Sequence, residues 1–397
     1  MSRHGRTASA EPETAVYRRD AATWTAFAAL FAFGILNAAL GPALPYLREI
    51  QHTSYLAGAL HQVAFSLGGM AAGIHASRSH APRRPMIITG LLVATAAGVV
   101  LGYARAFAAT MTAAFLLSAF ATAALIRIWA VLADLHHRHR AVAMTEGEVA
   151  VSLAGILTPA LISACAATAL GWQFSFVIAA ALVAAAAIAL RLTRVPSATP
   201  APDAADPAHT GAVPGPTPLR TLTAIAAVVA LEFTTSFWAA SYLHDDVGIG
   251  QDTAVALVSA LYAANLAGRL LASRLARHLS TTAVLRLSLA TALVGAPILL
   301  AAHGPVLATV GLVVTGVGIG GTFPLAAALH VAASPRTADQ ALGQILTVAG
   351  LGQIAGPLLA GALAQLSGLR VGLIVLLAFA LLAAASTRTS RRAGAGS

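Results

Sequence analysis

Glu232 is the residue whose type and position carry most chemistry in this sequence. It stands about eleven residues from either end of an apolar run over 219–242, roughly 16 Å from each end at about 1.5 Å per residue. A glutamate cannot reach water over that distance. Placing an acid at such depth in hydrocarbon costs about 2.5–3.5 kcal/mol even on the most lenient scale, so it faces either a cavity or a polar partner. Held away from bulk water, it can take up and release a proton, or it can sit as a neutral acid bonding a neighbouring helix. Thr235 and Ser236, three and four residues on, extend a polar stripe along the same helical face. Arg127 lies in another apolar run, about seven residues before Asp134 and roughly 10 Å from the run's end. It can bind an anionic group or pair with Glu232, and its long stem can equally carry its charge out to water.

Other polar groups fall inside apolar runs: Asn37, His61, Gln62, Asn265 and Gln353. Each can contact a bound solute, and each can simply bond one helix to the next. His61 can also titrate. Trp238 and Phe323 complete the set of candidate solute contacts. Gly316, Gly318, Gly320 and Gly321 precede Phe323-Pro324, a pattern that permits either a bending gate or close helix packing. His136-His137-Arg138-His139-Arg140 reads as an electrostatic anchor, since a metal site needs ligands spaced to converge. Glu146 and Glu148 follow it and are expected to pair with its arginines. No metal or cofactor site is expected.

The elements that must position these groups follow from composition. Hydrophobic residues fill 58% of 397 positions and charged residues 10%, with mean hydropathy +0.79, too apolar for a domain wrapped in water. The chain is therefore expected to sit in the lipid bilayer. All 24 basic residues are arginine; with 14 acids they give +10. They sit in short loops, which speaks for membrane orientation rather than nucleic-acid binding. Cys165 has no second cysteine to pair with.

Runs long enough to cross about 30 Å of hydrocarbon occur at 24–46, 55–77, 85–104, 107–133, 143–168, 172–192, 219–242, 252–276, 283–302, 305–330, 339–365 and 369–387. With the N-terminus cytoplasmic, the inner side collects most loop arginines, among them Arg78, Arg83, Arg84, Arg191, Arg274 and Arg286. The outer side receives only Arg48, Arg105 and Arg370. Both termini are thus expected in the cytoplasm, with the chain in the inner (plasma) membrane. The expected organisation is a tail over 1–23, a six-helix bundle over 24–192, a proline-rich linker over 193–218, a second bundle over 219–387 and a tail over 388–397. The halves echo one another: Ala76-Ser77-Arg78 recurs as Ala272-Ser273-Arg274, an offset of 196 residues, and Ala154-Gly155 recurs near that offset as Ala349-Gly350. Under the same offset Asn37 falls within one residue of Glu232. An even number of helices per half gives a parallel repeat.

Gly73, Arg78, Arg83 and Arg84 match, in stretched form, the signature between the second and third helices of the major facilitator superfamily, with Ser77 in place of its acid. Gly171-Trp172-Gln173-Phe174-Ser175-Phe176 and Gly352, Gly356, Pro357 and Gly361 match further family junctions. The chain resembles that family over nearly its whole length. Glu232-Phe233-Thr234-Thr235-Ser236-Phe237-Trp238, then Tyr242-Leu243 and Gly268-Arg269, are most similar to its fucose-permease-like branch, although the acids that sugar symporters carry on helices 1 and 4 have no counterpart.

The resemblance implies an all-α membrane protein of twelve transmembrane helices in two pseudo-symmetric bundles, with helices 1, 4, 7 and 10 around a central cavity. It also implies gating roles for Gly73, Arg78, Arg83, Arg84, Gly268, Arg269, Arg274, Gly356 and Pro357. The expected activity is secondary transport of a small organic solute by alternating access in a monomer, driven by a proton or solute gradient, with the direction open and export fitting an apolar cavity that carries one acid. Sugar/proton symport is the alternative within the family. A membrane-embedded enzyme or non-transporting receptor is the alternative outside it, but no His-Glu-x-x-His, Gly-x-Ser-x-Gly or ATP-binding motif is found.

Overall fold

Backbone polar groups in hydrocarbon must be satisfied within the chain, which leaves helices as the element for these apolar runs. The structure, a computed structural model, describes residues 17–78, 82–136, 139–193, 217–335 and 338–387. Among them the regular elements are helices. They are α1 (Ala21–Asn37), α2 (Leu40–Gln51), α3 (Tyr55–Arg78), α4 (Arg83–Tyr103), α5 (Phe107–Leu135), α6 (Arg140–Ala166), α7 (Phe174–Leu192), α8 (Pro218–Asp245), α9 (Gln251–Leu275), α10 (Thr281–Leu300), α11 (Pro305–Gly320), α12 (Thr322–Ala333), α13 (Ala338–Ser367), α14 (Leu369–Gly372) and α15 (Val375–Ser386). Most of the tails and the proline-rich linker lie outside the described residues, as do the side chain of Ser77 and residues 137 and 138.

Among the described residues, eleven helices or helix pairs are long and apolar enough to cross a membrane. The twelfth crossing is α3, whose 24 residues span about 36 Å but include His61, Gln62, Ser66 and His75. Three expected spans are each built from two helices. The first breaks at Ala38-Ala39 between α1 and α2, the tenth at Gly321 between α11 and α12, and the last after Gly372 between α14 and α15. We call the side at which α1 begins the near side and the opposite one the far side; twelve crossings return the chain to the near side.

Local signals set the helix ends. Asp20 caps α1, its carboxylate accepting from the Thr23 backbone N–H at 2.8 Å, and Pro218 and Pro305 open α8 and α11, where a missing N–H costs nothing. Branched aliphatic residues such as Leu30, Leu91, Leu117 and Ile128 fill the first half, and Leu231, Val258, Leu289 and Leu312 the second. Val294, Val306, Leu346, Leu366 and Leu381 remain exposed, as lipid-facing residues must. In the second half, glycines bring backbones together: a Cβ on Gly268 would strike the Val317 carbonyl, one on Gly320 the Asn265 carbonyl, and one on Gly318 the backbone of Ala292. This locks α9, α10 and α11 to each other.

The halves meet through α6 against α9, α3 against α13, and α2 against α8 and α9. On the far side Arg48 pairs with Asp245 at 2.8 Å, Tyr55 donates to the same carboxylate at 3.0 Å, and the Arg48 guanidinium lies 4.0 Å over the Tyr55 ring. Tyr46 donates to Asp252 at 2.6 Å. These bonds tie the two halves together on that side.

Candidate functional site

Beneath the far-side bonds lies a cavity of about 200 Å3 between the halves, lined from α1, α2, α3, α6, α8 and α9. Helical spacing explains the lining. Glu148, Val151, Ser152 and Gly155 lie on one face of α6, and Tyr262, Asn265, Leu266 and Arg269 on one face of α9. Glu232, Phe233, Ser236 and Phe237 come from α8, Asn37 from α1, and Gln62 from α3.

Glu232 is central. It lies about 20 Å from either end of the 28-residue α8, and its Oε1 accepts from Asn265 Nδ2 at 3.1 Å. Arg269 lines the same cavity and acts on the Glu232 carboxylate electrostatically. Arg269 donates to Glu148 Oε2 at 3.2 Å and to the Gly320 carbonyl at 3.3 Å, so one ion pair crosses from the first half to the second. The Glu148 and Arg269 side chains are 46% and 36% exposed and lie in the near-side half of their helices. Tyr262 stands over Gly155, beside Ser236 and Glu232.

Several expectations need correction. Arg127 on α5 is buried and does not line the cavity, whose lining comes from other helices. Glu148 pairs with Arg269 on the other half, and Arg138 lies outside the described residues. Glu146 instead takes Arg19 at 2.5 Å and Tyr17 at 2.9 Å, and the hydrogen bond from Arg19 holds that guanidinium firmly protonated, above its ordinary value. Of the candidate solute contacts, Asn37, Gln62, Ser236 and Asn265 line the cavity with Glu232.

His61, Thr235, Trp238, Phe323 and Gln353 do not. His61 Nε2 lies 2.9 Å from the Thr110 hydroxyl, Thr235 donates back to the Leu231 carbonyl at 2.8 Å, and Trp238 Nε1 donates to the Pro357 carbonyl at 3.0 Å. Phe323 packs against the core beyond the break at Gly321, and Gln353 lies on α13. Glu148 and Tyr262 were not anticipated as cavity residues. Their signal is the spacing just described, together with a depth for Glu148 of about 12 Å from the start of α6.

The motif residues serve packing and near-side bonding. Arg83 pairs with Asp134, and Arg84 donates to the Arg191 carbonyl. Arg78 and Arg274 are exposed, and the space around Gly73 is open. A Cβ on Gly356 would meet Thr234 and Ala230, which sets the approach of α13 to α8. The Thr23 hydroxyl lies 2.7 Å from His136 Nε2 and the Thr221 hydroxyl 2.8 Å from His330 Nδ1, equivalent bonds in the two halves.

The family model described as Major Facilitator Superfamily matches residues 26–348 and 222–394. No curated protein shows significant sequence similarity to the chain. A solved structure of a bacterial homolog of the human lysosomal transporter Spinster, inward-facing and unoccupied, is similar with TM-score 0.74 at 15% identity, covering 93% of this chain and 97% of that one. The nucleoside transporter NupG gives TM-score 0.72 at 15% identity over 92% and 99%. A peptide transporter, POT, in complex with alafosfalin gives 0.70 at 11% over 91% and 93%. At these identities the likeness is one of fold.

Proposed function

The chain belongs to the major facilitator superfamily and is a multi-pass transporter rather than an enzyme, and we propose that it moves a small organic solute by alternating access, with Glu232 as the group that couples transport to protons. The observation that carries the reading is one acid at mid-depth, facing a cavity between the halves and bonded by a single neutral amide. Intramembrane acids in such places mark proton and substrate paths. A carboxylate that holds either a proton or the solute exchanges one for the other. With a proton gradient directed inward, that exchange drives the solute outward.

Arg269 gives the exchange a mechanical arm. It stands between Glu148 on the first half and Glu232 on the second, so a change of charge on Glu232 alters the pull on a guanidinium that also ties the halves together. In this proposal both termini are cytoplasmic, so the cavity communicates with the cytoplasmic half of the molecule. The described helices are divided as 21–192 and 218–386 between the two moving bundles, joined by the linker over 193–218. Gly316, Gly320 and Gly321 pack against α9 and Gly318 against α10, which supports packing along this stretch with the tenth span broken at Gly321.

The residues most similar to the fucose-permease-like branch divide in role. Glu232 and Ser236 face the cavity, whereas Trp238 and Tyr242 hold carbonyls of α13 and α10. That branch's likeness therefore supports its architecture more than its sugar.

Inside-out vesicles containing the protein, assayed for proton movement as candidate solutes are added, test the reading. A response abolished by Glu232→Gln is expected. A response of unchanged size and pH profile in that variant sinks the coupling role.

A further inference from the structure

We propose that this cavity selects a protonated amine, a small organic cation bearing N–H donors, with Glu232 and Asn265 as its ligands. The inference rests on the transport reading above and names its substrate class.

Its basis is a group of open acceptors at Glu232. Some cavity donors are committed elsewhere: Arg269 donates to Glu148 and to the Gly320 carbonyl, Gln62 Nε2 donates to Ser66 at 3.2 Å, and the Ser236 hydroxyl donates to the Glu232 carbonyl at 3.0 Å. The acceptors at Glu232 and Asn265 are open. The Glu232 carboxylate takes one hydrogen bond of the roughly four it can accept, and among the described residues no second side chain donates to it. Asn265 spends its amide N–H on Glu232, which fixes the orientation of the group and leaves Oδ1 buried with no partner. A buried acceptor without a donor is costly, and a ligand that supplies the donor recovers that cost.

Charge agrees with this. Glu148 and Arg269 neutralise each other, so an ionised Glu232 leaves one negative charge, which one monocation balances. Phe65, Phe233, Phe237 and Tyr262 supply aromatic surface, and an aromatic face attracts a desolvated cation. A carboxylate solute would meet the like charge of an ionised Glu232. The volume of about 200 Å3 lies below the roughly 300–1,000 Å3 of drug-sized sites, which bounds the solute to a small molecule.

The test is equilibrium binding to the full chain in lipid nanodiscs by calorimetry, with no gradient present, using four probes of one shape: phenethylamine, its trimethylated quaternary analogue, 2-phenylethanol and phenylacetate. Phenethylamine is expected to bind at least about tenfold more tightly than each of the other three, since each lacks the charge, the donors or both. Binding should weaken as pH falls and the proton competes for Glu232, and Glu232→Gln and Asn265→Ala should each erase the preference for the amine. Comparable binding of the alcohol or the carboxylate overturns the proposal, as does undiminished binding of the quaternary ion. Binding of none of the four to protein that elutes as a single folded species overturns it as well. The two readings fail separately: a neutral solute transported with protons ends this inference and spares the transport reading, whereas an amine that binds and is never moved across vesicles does the reverse.

Discussion

The far-side bonds make a prediction about which way the transporter faces. Asp245 accepts from Arg48 at 2.8 Å and from Tyr55 at 3.0 Å, and these contacts join the first half to the second. They can exist only while the far side is closed. Asp245→Asn removes the charge, keeps the shape and leaves Arg48 over the Tyr55 ring. The paired side chains are only 16% and 24% exposed, so screening is partial, and the loss is about 1–2 kcal/mol of closed-state stability. That is a factor of about 5–30 in the ratio of far-open to far-closed protein. Spin labels at Ile50→Cys, which is exposed, and Gly250→Cys, where a Cβ meets open space, would read it by pulsed electron resonance in a Cys165→Ala background. The expected result is a longer-distance population that grows in the variant. An unchanged distance distribution would refute the reasoning, because it would mean that the bond is retained or replaced in both states.

Arg269→Ala is expected to abolish transport, whereas Arg127→Ala should retain most of it, as solute uptake into vesicles by the two variants would show; equal loss in both would restore Arg127 to the mechanism. Trp238→Phe removes the N–H that meets the Pro357 carbonyl and should cost about 1 kcal/mol, read as a lower Tm in detergent with amine affinity unaltered, since Trp238 lies outside the cavity. Gly356→Leu forces a side chain into Thr234 and Ala230 and should destabilise the protein by at least about 1–3 kcal/mol, seen in the same melting assay. Raising external pH should slow proton-driven export by the wild type and leave Glu232→Gln at its low basal rate, because the variant carries no titratable group at that position.

The spans were legible because hydrocarbon demands long apolar runs, and nearly all of their ends fall within a few residues of the helices observed. The interruptions left fainter signals. Gly321 falls in a glycine-rich stretch, while the break at Ala38-Ala39 lies four residues before Pro42, which offers no N–H to the Ala38 carbonyl. Glu232 was legible from depth alone. The facing of the other polar residues was not, because the rotation of a helix about its axis is fixed by neighbours. His61 and Gln62 are adjacent, yet one bonds Thr110 and the other lines the cavity. Glu148 looked like a loop partner because arginines precede it in sequence, while its true partner is 121 residues away on the other half.

The glycine contacts that seat α9 against α11, and α11 against α10, have a mechanical consequence. Backbone touching backbone leaves no rotamer to yield and no soft layer to shear, so these three helices behave as a single plank. Asn265 and Arg269 ride on that plank and cannot drift independently of it. A displacement of α9 at the Glu148–Arg269 bond is therefore carried by α9, α10 and α11 together against α6.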